Sequence, residues 1–367
     1  MGEHGLSVGT ITLGTAGPIT FGPDGILFLS DNSSATVYAL STGDRAESHV
    51  ATPLNLEDLD LRLASFLGCT PDDIIIRDLA VNPLSENVYL SVQRGFGDEA
   101  VQVLIKVDRG DASISEVPLE DVPFAETVIS DAPAEDDDRL DTLLPVTAEG
   151  EEIEVRGLTL RILRQPIRSS TITDLAFVDG TLFIAGLSNE EFSSKLRRIP
   201  FPFESDPARL ADNNLEIFHV DHGKWETAAP IRAFVPYDQG RSILATYTCS
   251  PLVHFPVADL ETGTKTVGRT VAELGPMNQP LDMISFVQDG AEHLLIANSR
   301  HGLIKVACAD VDAQQPLTEP REPIGVPRAV EDLQGVRRLA NLGEYVLALL
   351  SDEGGRQHLR SLDAAAL

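Results

Sequence analysis

Apolar and polar residues alternate along this chain in short bursts, and the bursts come in a fixed order. "GPITFGPDGILFLSDNSSATVYALST" (17–42) reads as an apolar run, a turn, a second apolar run, a polar word and a third apolar run. The order recurs in "RDLAVNPLSENVYLSVQRGFGDEAVQVLIKVD" (77–108), "TDLAFVDGTLFIAGLSNEEFSSKLRRIPF" (173–201), "RAFVPYDQGRSILATYTCSPLVHFPV" (232–257), "LDMISFVQDGAEHLLIANSRHGLIKVA" (281–307) and "RRLANLGEYVLALLSDEGGRQHLRSL" (337–362). Short runs rich in Val, Ile, Leu, Phe and Tyr predict strands, because such side chains pack well on a pleated surface. The first turns contain Pro-Asp-Gly, Asn-Pro, Asp-Gly, Asp-Gln-Gly, Gln-Asp-Gly and Leu-Gly, which let a chain reverse through positive φ. Each copy therefore predicts three antiparallel strands.

Matching positions in the copies are Pro18, Asp78, Asp174, Ala233, Asp282 and Arg338, separated by 60, 96, 59, 49 and 56 residues. Propeller blades repeat about every 40 to 50 residues. The expectation is an all-β fold, a single β-propeller domain over 1–367 with six four-stranded blades. Fourth strands are expected at "LEIFHVDH" (215–222) and "TKTVGRTVAEL" (264–274). The last copy ends with three strands, so "SVGTITLG" (7–14) is expected to pair with the C-terminal blade and close the ring, leaving no open edge. The long step holds an acidic insertion and the hairpin word "EIEVRGLTLRIL" (152–163). Residues 130–170 are thus an insertion on a six-bladed ring, or a degenerate seventh blade.

Charge narrows the partners. With 28 Lys+Arg against 57 Asp+Glu the net charge is −29, which repels phosphate backbones and anionic lipid. Nucleic acid is excluded as a partner, and the like charge favours a monomer. No apolar run reaches the roughly 18 residues that span a bilayer, so no membrane insertion is expected. "MGEHGLSVGT" lacks the basic start and apolar stretch of a signal peptide. The compartment stays open between the cell interior and a mature periplasmic or secreted form. Cys69, Cys249 and Cys308 stand far apart without CxxC or CxxCH, so neither a zinc ribbon nor a haem motif is present. "RGFG" (94–97) lacks the Lys-Ser/Thr of a phosphate loop, and no nucleotide motif stands elsewhere.

The antiparallel order places the starts of the inner strands and the loops between second and third strands at one end of the ring. Around that mouth the sequence predicts a polar funnel. Asp78, Asp174 and Asp282, joined by Asn298, are candidate oxygen ligands for Ca2+ or another divalent cation. Arg94, Arg232 and Arg300 would orient an anionic group, with Asn32, Asn189 and Tyr247 as further ligand contacts. Cys249 and His301 are candidates for a thiolate nucleophile and its base. Against these stand plainer roles: an Asp at a strand start caps backbone N–H groups or pairs with a neighbouring Arg, and Cys249 packs at a blade junction.

The turn-punctuated copies resemble the NHL and YVTN type of propeller repeat over nearly the whole chain. That resemblance implies architecture and a ligand- or protein-binding scaffold, its partner a small molecule or a protein. Similarity to gluconolactonase-type propellers would imply a metal-dependent hydrolase or lactonase, whose carboxylates and Asn hold a calcium-like ion that polarises a carbonyl. Those families place a Glu at the first inner strand, where this chain has Gly17-Pro18. Similarity to the propeller subunits of amine dehydrogenases would imply an accessory subunit of a redox enzyme, the cofactor being carried by a partner.

Overall fold

In the computed structural model, which describes residues 3–145, 150–155, 157–203, 211–249, 251–320 and 324–367, the apolar runs form strands and the turn words form turns. Asp179 (φ 48°) and Gly180 (φ 74°) make a two-residue turn between paired Val178 and Thr181. Asp289 (φ 51°) and Gly290 (φ 77°) repeat it. Two successive left-handed residues match the twist of the strands they join.

The protein is mostly β, in several antiparallel sheets. The repeat copies give six sheets whose first strands are Ala16–Phe21, Ile74–Val81, Asp174–Val178, Ile231–Tyr237, Pro280–Gln288 and Val336–Leu342. Numbering the sheets one to six in that order, their first strands pack side by side in the cycle one, two, six, five, four, three and back to one. The core is divided the same way. Six clusters of buried apolar side chains fill the six wedges between neighbouring sheets. Ile26 and Phe28 enter the wedge beside sheet three, while Leu27 and Leu29 enter the one beside sheet two. Successive residues of a strand face opposite sides, so one apolar strand serves two wedges. Sheets arranged radially about an axis are the arrangement of a β-propeller.

The cycle does not follow chain order. After three strands of sheet one the chain builds all of sheet two, then returns to lay Val122–Val128 along Thr36–Ser41 as the fourth strand of sheet one. Sheet three then starts on the other side of sheet one, and sheets four to six continue round until the last meets the second.

This course corrects two expectations. The N-terminal strand, Ser7–Gly9, pairs with Val122–Val128 and not with the C-terminal sheet. The edge it was expected to cover is already occupied: Leu56 and Leu359 exchange two backbone hydrogen bonds of 2.9 Å, and Leu54 bonds the Ser361 hydroxyl. The helix Leu59–Leu67 follows, burying Leu59 and Leu63 between sheets two and six. "TKTVGRTVAEL" also divides. Thr264–Val267 pairs in parallel with Ala211–His219 of sheet three, and Arg269–Glu273 is the fourth strand of sheet four, with Ile324–Gly325 paired outside it. The crossing falls on Gly268, where a Cβ would lie 2.4 Å from Val253 and 2.5 Å from Phe255.

Within 130–170, the strands Leu140–Leu143, Glu151–Val155 and Leu158–Pro166 form a separate sheet whose described residues pair only among themselves. Residues 146–149 and 156 of this segment lie outside the described residues. Among the described residues no helix is long and apolar enough to cross a membrane.

Candidate functional site

Five of the six inner strands skip a residue in their pairing just before or at the repeat position, between Ala16 and Ile19, Ile76 and Asp78, Ile231 and Ala233, Pro280 and Asp282, and Val336 and Arg338. A bulge of this kind re-aims the side chain that follows it. Here it turns the repeat positions towards the axis. In the order of the cycle these positions read Pro18, Asp78, Arg338, Asp282, Ala233 and Asp174, so the three aspartates alternate with other residues.

Each aspartate has a structural duty. Asp174 accepts the N–H of Leu175 on its own strand (2.8 Å) and that of Phe234 on sheet four (2.8 Å). Asp282 accepts those of Met283 (2.7 Å) and Leu339 on sheet six (2.7 Å). Asp78 accepts those of Ile19 on sheet one (2.8 Å) and Leu79. Six backbone donors at the open inner edges are thus met by three side chains, which is why every second sheet carries an Asp.

The charges do not balance. Arg338 lies 3.2 Å from the Asp78 carboxylate and donates to the carbonyls of Arg77 and Leu281. Asp174 has no such partner among the described residues. Burial raises it well above the usual carboxylate range, and Asp282 and Asp78 push the same way against its two N–H donors. Burial takes Asp282 up to about 7, opposed by Arg338 and assisted by Asp78. Burial also raises Asp78, again opposed by Arg338. These groups face a channel, not a sealed core: Asp78 keeps 16% of its side chain exposed. Cavities of 360 Å³ and 560 Å³ lie on the two sides of this level and share the three aspartates.

The separate small sheet lies across the mouth, where Leu143 and Gln165 line the 360 Å³ cavity. It is fastened from below. Arg232 donates to both Asp141 carboxylate oxygens (2.7 and 2.8 Å), to Thr142 and to Thr248, while Ser170 donates to Asp141 at 2.5 Å. Burial works to raise Asp141, but Arg232 and Ser170 hold it below the usual carboxylate range. Gln279 adds an acceptor for the Leu144 N–H at 2.8 Å.

Of the other predicted site residues, Arg232 and Asn32 line the 360 Å³ cavity with the aspartates, and the rest lie outside its lining. Arg232 spends its fork on Asp141, and Arg94 donates to the Leu67 carbonyl (2.9 Å) at the end of the short helix. Asn32 lines the cavity but spends its amide on Ile172, donating at 2.9 Å and accepting at 2.8 Å, which stitches sheet one to sheet three. Asn189 and Arg300 are exposed, and Tyr247 is buried between sheets three and four. Asn298 is hydrogen-bonded to Asn278 and to the carbonyls of Ile296 and Gly302, apart from the aspartates. Among the described residues no hydrogen bond joins Cys249 to His301. The Cys249 thiol is pushed up to about 11 by burial and by nearby carboxylates, and His301 is lowered by burial and by Arg300 and Arg328. Cys249 instead stands beside His219 and His222. The His-x-x-His spacing in "HVDH" was the signal for that pair.

No protein-family model and no curated protein matches the chain. Solved structures similar in chain course include the following three. The Swd1 β-propeller domain of Myceliophteria thermophila is 10% identical with a TM-score of 0.39, covering 95% of this chain and 83% of that one. The PQQ-bound aldose sugar dehydrogenase of Streptomyces coelicolor is 11% identical with a TM-score of 0.37, covering 98% of both chains. A chain of the mitotic checkpoint complex is 12% identical with a TM-score of 0.36, covering 97% of this chain and 91% of that one. Likeness at this level carries no inference about chemistry.

Proposed function

We propose that this protein is a six-bladed β-propeller that binds a small organic cation in its capped central channel. The ring is closed by residues 54–56 and the helix that follows them, and the sheet within 130–170 serves as a lid, not a blade. The observation that carries the reading is that the six repeat positions of one level hold three carboxylates and, among the described residues, one guanidinium, that of Arg338, while Arg232 and Arg77, which also line this cavity, donate to Asp141 and Gln93. A carboxylate has about four lone-pair sites. Backbone N–H groups take two of them at each aspartate, and an ammonium group can take others.

The geometry favours an ammonium over a bare metal ion. Calcium holds oxygens at about 2.3–2.6 Å, so ligands to one ion stand no more than about 5 Å apart. The three aspartates are not among the described groups whose ligand atoms close within 4.8 Å. The cavity on the uncapped side offers Phe21, Val81, Pro236 and Ile284 against an aliphatic chain. An alkylammonium entering from that side would set its charge among the aspartates.

Calorimetric titration of the full chain with putrescine at pH 8 tests this. The expected result is one saturable site, lost in Asp174→Asn and in Asp282→Asn. Absence of binding, or equal binding by both variants, overturns the reading. Saturable Ca2+ binding with putrescine inert would replace it with the metal reading.

A further inference from the structure

Outside the channel, a second group of side chains converges where sheet three meets sheet four. The hairpin Ala211–His219 and Lys224–Glu226 supplies His219, His222 and Glu226, and the loop between the second and third strands of sheet four supplies Cys249. A nitrogen of each histidine and the sulfur of Cys249 all lie within 4.8 Å of one another. The two imidazole rings stand 4.0 Å apart, inclined by 34°.

One carboxylate sets both rings. Glu226 Oε2 lies 3.0 Å from His219 Nδ1, and its Oε1 lies 3.0 Å from His222 Nδ1. An imidazole that donates from Nδ1 to a carboxylate keeps its Nε2 lone pair free and oriented, the support that metal-binding histidines commonly have. The exposure pattern agrees. The His219 side chain is 3% exposed, yet its buried Nε2 has no hydrogen-bond partner. An unpartnered buried nitrogen costs stability, and a ligand offsets that cost. Glu273, fully buried, brings Oε2 to 3.9 Å from that nitrogen. Cys249 itself sits at φ 63°, a left-handed setting that a non-glycine residue keeps only where its surroundings impose it.

We infer that His219, His222 and Cys249 form a binding site for a divalent ion of the zinc class, with Glu226 orienting both histidines and Glu273 placed to complete the shell. Zinc takes Cys at about 2.3 Å and His at about 2.0–2.1 Å in tetrahedral order. Thiolate with imidazole selects it over calcium or magnesium. The ion would fasten the outer hairpin of sheet three to sheet four.

The test uses the full chain, stripped with chelator and titrated with Co2+, whose thiolate complexes absorb in the near ultraviolet. One equivalent should bind with a sulfur-to-cobalt band, and Zn2+ should displace it. Cys249→Ser should remove the band, and Glu226→Gln should weaken binding by about 10- to 100-fold. Independently of any variant, Zn2+ should slow alkylation of Cys249 in the wild-type chain, read by peptide mapping, and leave Cys69 unaffected. A stripped protein that takes up no Co2+ overturns the site, as does a band that persists in Cys249→Ser or a Cys249 alkylation rate unchanged by Zn2+.

Discussion

Asp141 in the lid and Asp174 in the channel are both withdrawn from bulk water, yet their environments push them in opposite directions. Asp141 meets Arg232 in a two-pronged pair, accepts the Ser170 hydroxyl, and is held below the usual carboxylate range. Asp174 meets two backbone N–H groups and two other carboxylates, and is driven above it. Burial works to raise both carboxylates; what differs is the partner. Asp141 is paired with a cation and Asp174 is not. Under the proposed function this is the difference between a structural joint and a binding site, and it can be tested from both ends.

The largest effect is expected at the paired end. Arg232→Met leaves Asp141 buried without its cation and should cost ~3–5 kcal/mol in urea unfolding. Replacing both, with Asp141→Leu, should recover much of it. A single-variant cost under about 1 kcal/mol would show that the pair is not desolvated as the structure has it.

The two carboxylates should also give opposite pH slopes. A depressed group such as Asp141 contributes stability above its unfolded pKa, and that stability is lost as pH falls through the folded value. Glu226 does the same: burial would raise it, but His219 and His222 hold it down to about 2, so its share is lost between about 4.5 and about 2. A raised group works the other way. Asp282 folds best protonated, so its contribution is present below about 4 and lost as pH rises through about 7, and Asp174, also raised, contributes a loss of the same sign. The melting temperature without ligand should therefore fall on both sides of a mildly acidic maximum. Asp174→Asn should flatten the alkaline side, because the group whose raised folded-state value drives part of that loss is gone. An unchanged alkaline side would mean that Asp174 does not titrate there.

A smaller effect is expected at Asn32. Its two bonds to Ile172 are a neutral joint between sheets one and three, and Asn32→Ala should cost ~1–3 kcal/mol at every pH. A pH-dependent loss would tie this joint to the channel carboxylates.

The repeat was legible because strand alternation and turn chemistry are local. The words around Asp179-Gly180 and Asp289-Gly290 mark their turns, and aligning the copies brings Asp78, Asp174 and Asp282 to one level. Blade order was not legible. Nothing local in "DVPFAETV" (121–128) says that it returns to sheet one past a whole sheet, or that Leu54 and Leu56 will cover the last one. Partner choice was hidden for the same reason. Arg232 looks like a ligand-orienting arginine until the lid brings Asp141 from 91 residues away, and Cys249 looks like a partner of His301 until the outer hairpin brings His219 and His222 to it.

The most direct test of the proposed channel site is proton release on ligand binding, measured calorimetrically with putrescine at pH 7 in two buffers of different ionisation enthalpy. Burial pushes Asp174, Asp282 and Asp78 towards their protonated forms, so under the proposed reading a cation among them is expected to release protons: the apparent enthalpy should change with the buffer in the wild type and change less in Asp174→Asn. Binding without proton release, or the same release in both proteins, would place the ligand elsewhere and leave the aspartates as joints alone.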